Sequence, residues 1–204
     1  MNGNSEENST VFIVDDDQAI RHAMEFLMRS VGLKYEIFHS ADDFLTSFCD
    51  EKPGCLVLDI RMPGLGGLEL QEKLIEMGSA LPIIFITGHG DVPMAVEAMQ
   101  KGAVDFIQKP FRDQDLLDRI SEALKTDQER RSERQEHAEV QTRIDKLTKR
   151  EREVLDLVVT GKPNKVIAYE LGVSQRTVEI HRARVMEKMQ ARSLADLVRM
   201  HMAA

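Results

Sequence analysis

Residues 11–20 read VFIVDDDQAI, and this stretch decides the fold. Val11, Phe12, Ile13 and Val14 make a short apolar run of strand-forming residues. The run stops abruptly at three carboxylates, Asp15, Asp16 and Asp17. Like charges gathered at the end of a buried strand repel, so the arrangement calls for a cation. Just downstream, Ile20, Ala23, Met24, Leu27, Met28 and Val31 recur at three- and four-residue steps, the spacing of an amphipathic helix. A strand that ends in acids and turns at once into a helix is the first unit of an α/β repeat.

The unit recurs. Short apolar runs lie at residues 35–38, 55–58, 83–86 and 104–107. Helix-period segments centre on 44–48, 68–75, 92–99 and 116–124. Strands that alternate with helices predict a parallel sheet covered on both faces, and right-handed crossovers make it doubly wound. Residues 121–147 contain no Gly or Pro and are rich in Glu, Gln, Arg and Ala with sparse apolar positions. They read as a polar helical linker extending the fifth helix, or as a flexible segment with helical tendency. No sustained apolar seam marks a coiled coil. Beyond Leu147 the pattern is all helical, with cap signals at Thr148 plus Glu151, at Ser174 and at Ser193, and stops at Gly161 and Gly172. The fold class expected is therefore α/β, a doubly wound five-stranded parallel sheet over residues 10–125. A helical linker over 126–144 joins it to an all-α four-helix module over 145–204.

Charge divides the same way. The net −8 is the sum of −11 over residues 1–125 (11 basic, 22 acidic), −2 over 126–145 (4 and 6) and +5 over 146–204 (12 and 7). An acidic front and a basic tail predict different partners, with a polyanion for the tail. The N-terminal residues lack the pattern of a signal peptide, and no run reaches the roughly 18 apolar residues that cross a bilayer. Cys49 and Cys55 do not have a metal-ligand spacing, which suits free thiols in a reducing cytoplasm.

In a doubly wound sheet, ligands bind at the carboxyl edge of the strands. Asp15 and Asp16 end the first strand, Asp59 the third and Thr87 the fourth, while the fifth leads into Lys109. Clustered carboxylates bind a hard divalent cation, most simply Mg²⁺. A carboxylate beside such an ion can attack a phosphoryl group and become an acyl phosphate, and Lys109 and Thr87 suit the charge on the phosphoryl oxygens. Asp59 is the expected nucleophile, since it stands alone at a central strand end. Gly64, Gly66 and Gly67 permit a tight loop beyond it. Asp17 reads as a helix cap.

This constellation, with RMPG following Asp59 and Pro following Lys109, resembles the receiver domain of two-component response regulators. The resemblance implies that Asp59 accepts a phosphoryl group from a phosphohistidine on a sensor histidine kinase. It implies direct Mg²⁺ ligation by Asp16, Asp59 and the backbone carbonyl of Arg61, with Asp15 acting through water or orientation. It further implies strand order 2-1-3-4-5, admits a cis Lys109–Pro110 bond, and makes Thr87 and Phe106 a switch acting on residues 91–106. On that face Val92, Ala95, Val96 and Met99 read as core, and Met94 and Lys101 as exposed interface positions.

In the tail, NKVIAYELGVSQRTVEI has helix-turn-helix spacing, with Ala168 as the small residue, Gly172 in the turn and Val178 buried. The second helix would present Gln175, Arg176, Thr177, Glu179, Arg182 and Arg184 to a major groove. Lys162, Lys165 and Lys188 would meet phosphates. Val178, Val185 and Met189 belong to the core, and His181 fits either packing or contact. LTKREREVL and SLADLVRM complete a resemblance to LuxR/GerE-type DNA-binding domains, which implies that the last helix is a dimer contact. The whole chain resembles FixJ-type response regulators. The implied function is a phosphorylation-activated transcription factor that dimerises on promoter DNA and engages RNA polymerase, with only slow self-phosphorylation and dephosphorylation at Asp59. A phosphatase is disfavoured because Arg61 stands where an acid/base carboxylate belongs two residues after Asp59. A pure adaptor is disfavoured by the helix-turn-helix.

Overall fold

The computed structural model describes residues 9–88 and 92–202. Its elements run β1 (Thr10–Val14), α1 (Gln18–Val31), β2 (Lys34–Phe38), α2 (Ala41–Ser47), β3 (Gly54–Asp59), α3 (Gly67–Glu76), β4 (Ile83–Thr87), α4 (Val92–Gln100), β5 (Asp105–Gln108) and α5 (Asp113–Asp145). There follow α6 (Lys149–Val159), α7 (Asn164–Leu171), α8 (Gln175–Met189) and α9 (Leu194–Met202). Two compact units divide between Arg130 and Arg131.

In the first unit five parallel strands lie in the order β2-β1-β3-β4-β5. Strand side chains alternate faces, and here both faces are apolar. Phe12, Val14, Leu56, Leu58 and Phe85 join the core under α2, α3 and α4 with Phe44, Leu70 and Leu74. Val11, Ile13, Val57, Ile84 and Ile86 join the opposite core with Met24, Met28, Leu116 and Ile120. Parallel register aligns Val14 with Leu58 and Asp59 with Ile86, so the strand ends lie along one edge. Asp17 caps α1, its carboxylate accepting from Ala19 N–H at 2.8 Å.

Three details depart from the sequence reading. The fifth strand is Asp105–Gln108, and Val104 precedes it. On α4 the buried residues are Ala95 and Ala98, whereas Val96 and Met99 are exposed. Met94 is half-buried against the core, and Lys101 is paired with Glu72 and Glu97, both at 2.6 Å. Small alanines let α4 approach its neighbours closely, which turns the larger residues outward; the Val92 side chain lies outside the described residues. The expected linker, finally, has no separate identity at its ends. Asp127 is buried in the first unit and Val140 and Ile144 in the core of the second, while residues 132–139 are exposed throughout.

The second unit is all helical. Its core holds Val154, Leu155, Val158, Ile167, Ala168, Val178, Val185, Met189 and Leu197. Thr148 and Glu151 form a reciprocal capping box at α6. Gly172 ends α7 at φ 65°, a left-handed conformation that turns the chain toward α8. Ser174 caps α8, its hydroxyl accepting from Thr177 N–H at 3.1 Å.

Candidate functional site

At the carboxyl edge of the sheet, Asp15, Asp16 and Asp59 each offer an oxygen within 4.8 Å of the others. The cation demanded by the first strand comes partly from the chain itself. Lys109 Nζ donates to Asp15 Oδ2 at 2.9 Å and to Asp59 Oδ1 at 3.0 Å. Its position follows from the backbone, because Lys109 N–H donates to the Thr87 carbonyl at 2.8 Å and the following Lys109–Pro110 bond is cis. Asp15 is held on every side. Its Oδ1 accepts from Asp17 N–H at 2.8 Å, its carbonyl accepts from Arg21 at 2.7 Å, and its N–H reaches the Phe38 carbonyl. Asp16 is exposed, while Asp15 and Asp59 are buried.

The electrostatics favour a further cation. Burial raises the Asp59 carboxyl above the usual range, the Lys109 hydrogen bond and charge draw it back, and Asp15 and Asp16 raise it again. Burial disfavours charge on Lys109, yet its hydrogen bonds to Asp15 and Asp59 hold its pKa above the ordinary value. Within this cluster one ammonium faces three carboxylates, so a dication with oxygen preference fits the remaining charge and the donor set. Past Asp59 the chain folds back tightly. Gly67 N–H donates to the Ile60 carbonyl at 3.0 Å, and a Cβ on Gly67 would lie 2.3 Å from the Asp59 carbonyl oxygen. Glycine is required there by contact with the backbone of Asp59. Thr87 is buried at the end of β4, and Phe106, on the adjacent strand, is 37% exposed. The Arg61 side chain is exposed in the loop after β3.

The second candidate surface lies on α8. Gln175, Arg176, Glu179 and Arg184 are exposed, as is Lys165 on α7. Thr177 is half-buried, its hydroxyl 2.8 Å from that of Ser174. Arg182 is half-buried and donates to Asn164 Oδ1 at 3.1 Å, tying α8 to the start of α7. Two of the lysines assigned to phosphate are otherwise engaged: Lys162 pairs with Glu170 at 2.8 Å and Lys188 with the buried Glu151 at 2.6 Å. His181 is half-buried with Nδ1 shielded and unpartnered, which suits packing. Ile180 and Ala183 are also exposed on α8 and carry no polar group that would mark a contact in the sequence. Ile180 is 47% exposed and stands about 200° around the helix from the buried Val178, in line with Arg176 and Arg184. An apolar side chain projecting from the middle of such a face was legible as the one large residue outside the core period.

Comparison with known proteins follows this division. Residues 11–121 match the response regulator receiver domain model, and residues 145–201 match that of bacterial regulatory proteins, luxR family. Nodulation protein W of Bradyrhizobium diazoefficiens is 50% identical over 93% of this chain and 84% of its own length. The transcriptional regulatory protein FixJ of Azorhizobium caulinodans is 46% identical over 97% of this chain and 94% of its own. Among solved structures, the response regulator StyR superposes with a TM-score of 0.89 at 46% identity, over 97% of this chain and 100% of that one. The chain belongs to the two-component response regulators, with a receiver joined to a LuxR-type DNA-binding domain. Within that class it is of the FixJ type, a phosphorylation-activated transcription factor that answers to a histidine kinase and binds DNA. No helix among the described residues is long and apolar enough to cross a membrane.

Proposed function

We propose that Asp59 is the phosphoacceptor and that the residues around it divide the work. The observation that carries this reading is the Lys109 ammonium bridging Asp15 and Asp59, with Asp16 within reach of both. Asp16, Asp59 and the Arg61 carbonyl would hold Mg²⁺, and Asp15, fixed by four hydrogen bonds, would orient the site. When bound, the metal supplies positive charge to the phosphoryl oxygens. An Asp59 carboxylate oxygen attacks phosphorus, the P–N bond of the phosphohistidine breaks, and its electron pair leaves on the imidazole. Lys109 and the Thr87 hydroxyl stabilise the charge on the transferred group. Slow hydrolysis by water reverses the modification, which is the only turnover expected of the chain.

Thr87 turning toward the phosphoryl group, and Phe106 turning inward, would carry the change to α4 and β5. The outward Val96 and Met99 make that face suitable for pairing two receivers. The dimer would place Gln175, Arg176, Thr177, Glu179, Arg182 and Arg184 on two half-sites, with Lys165 on phosphate, next to RNA polymerase in the cytoplasm. The test is incubation of the full chain with labelled acetyl phosphate and Mg²⁺, followed by selection of genomic fragments by the labelled protein. Label in the wild type and none in Asp59→Asn is expected. Equal label in both, or none in either, overturns the assignment.

A further inference from the structure

The amino ends of the central strands carry a feature that the phosphoacceptor site does not use. Gly54, the first residue of β3, donates its N–H to Asp127 Oδ2 at 2.9 Å across 73 residues of sequence. Asp127 is only 4% exposed. Glycine is needed at the strand start, since a Cβ there would lie 1.9 Å from the Thr10 carbonyl oxygen. One turn further along α5, Arg130 reaches the Ala80 carbonyl, three residues before β4, at 3.5 Å. Both groups therefore grip backbone beneath β3 and β4, the strands whose other ends carry Asp59 and Thr87. Beyond them α5 changes character. Residues 132–139 are exposed throughout, and an eight-residue stretch of helix without buried contacts has little stability of its own. Burial resumes at Val140 and Ile144.

We propose that Asp127, assisted by Arg130, is the positioning residue that anchors the connecting helix to the strand bearing the phosphoacceptor, and so transmits the phosphorylated state to the DNA-binding unit. A buried strand N–H that loses its acceptor is left unsatisfied, so the bond holds the middle of α5 against the start of β3. β3 is a short rigid element with Asp59 at one end and this hydrogen bond at the other. A shift at either end is felt at the other through six residues of paired backbone. Without the anchor, the marginal segment 132–139 would fray back into the receiver, and the state of Asp59 would no longer be passed on.

The inference rests on Asp59 as acceptor, so label on Asp59 is measured in every variant. The full-length chain is compared as wild type, Asp127→Ala, Asp127→Asn and Arg130→Gln, with the operator duplex selected by the labelled wild type. Asp127→Ala is expected to label within about twofold of wild type. Its amide exchange over residues 125–131 should rise about tenfold, with faster tryptic cleavage at Arg131 and Arg134. Its phosphorylation-dependent gain in operator affinity should fall about tenfold, while the basal affinity of the unphosphorylated protein is kept. Asp127→Asn retains an acceptor oxygen and should restore most of the coupling. Arg130→Gln, at an exposed residue that does not threaten folding, should show a weaker form of the same loss. Normal coupling in Asp127→Ala despite faster exchange overturns the proposal, as does unchanged exchange. Should Asp127→Ala fail to fold, undiminished coupling in Arg130→Gln together with wild-type exchange in both remaining variants overturns it. Absence of label in the wild type instead defeats the acceptor assignment.

Discussion

The two candidate surfaces are assembled in opposite ways. At the sheet edge, Asp15, Asp59, Thr87 and Lys109 come from four places far apart in sequence and are largely buried, with Lys109 hydrogen-bonded to both Asp15 and Asp59. On α8, Arg176, Glu179, Ile180 and Arg184 come from three turns of one helix and stand in solvent. Phosphoryl chemistry needs charge concentrated where water cannot screen it, and only convergence of distant segments encloses such a place. Reading DNA needs side chains free to enter a groove, and a single helix suffices to space them. The proposed chemistry of the first relies on burial, and that of the second on exposure.

The contrast can be broken most sharply at its buried pole. Lys109→Met should lower labelling of Asp59 by about a hundredfold, since it removes a charge aimed at the transferred group. It also leaves Asp15 and Asp59 without their shared ammonium, so melting in chelator should drop by several degrees and recover with millimolar Mg²⁺. Thermal scans with and without the ion decide this. If labelling survives, the site does not work through concentrated charge.

An intermediate effect belongs to Glu151, a buried charge that serves the exposed surface. It is 2% exposed, accepts from Lys188 on α8 at 2.6 Å and from Thr148 N–H at 2.8 Å. Glu151→Gln should destabilise the second unit by about 2 kcal/mol in urea unfolding, since Lys188 loses its charged partner, and should leave phosphoryl labelling untouched. The pair also sets a pH dependence. The Lys188 hydrogen bond, opposed by burial and aided by Thr148, lowers the Glu151 carboxyl to about 2. A folded pKa below the unfolded value of about 4.3 stabilises fully above that value. The advantage of wild type over Glu151→Gln should thus hold from pH 8 to 5 and shrink as pH falls from about 4.3 toward 2.

Smaller effects fall at the exposed pole. Ile180→Ala should weaken operator binding about tenfold while leaving binding to unrelated duplex unchanged, if the side chain meets a thymine methyl. Lys165→Gln should weaken both equally and reduce the salt slope by about one, the mark of a phosphate contact. Titrations of both variants at several salt concentrations distinguish reader from anchor. Identical behaviour would mean that α8 does not discriminate sequence through Ile180.

Legibility in the sequence followed the same contrast. Acids at the ends of apolar runs marked the sheet edge, because strand period and strand end are local properties that fix which side chains share an edge. Ala168, Gly172 and Val178 marked the helix-turn-helix, since a close approach, a left-handed turn and a buried branched residue each demand a particular residue type. Positions on α4 were less legible. Val96 and Met99 are apolar yet exposed, and Ala95 and Ala98 take the core, because helix approach distance rather than hydrophobicity selects what fits. Composition likewise marked residues 126–144 as polar helix but said nothing of Asp127, whose buried carboxylate accepts from a backbone N–H 73 residues earlier.

The sequence alone determined the alternation of strands and helices, the caps, the break in charge between the two halves and the kinds of side chain available at each strand end. These follow from short-range sterics and periodicity. Only the tertiary structure decided which charges meet. It gave Lys109 to Asp15 and Asp59, Lys188 to Glu151, Lys101 to Glu72 and Glu97, and Asp127 to the first residue of β3. An ion pair or buried hydrogen bond depends on separations of a few ångströms and on exclusion of water, and both are set by how distant segments pack.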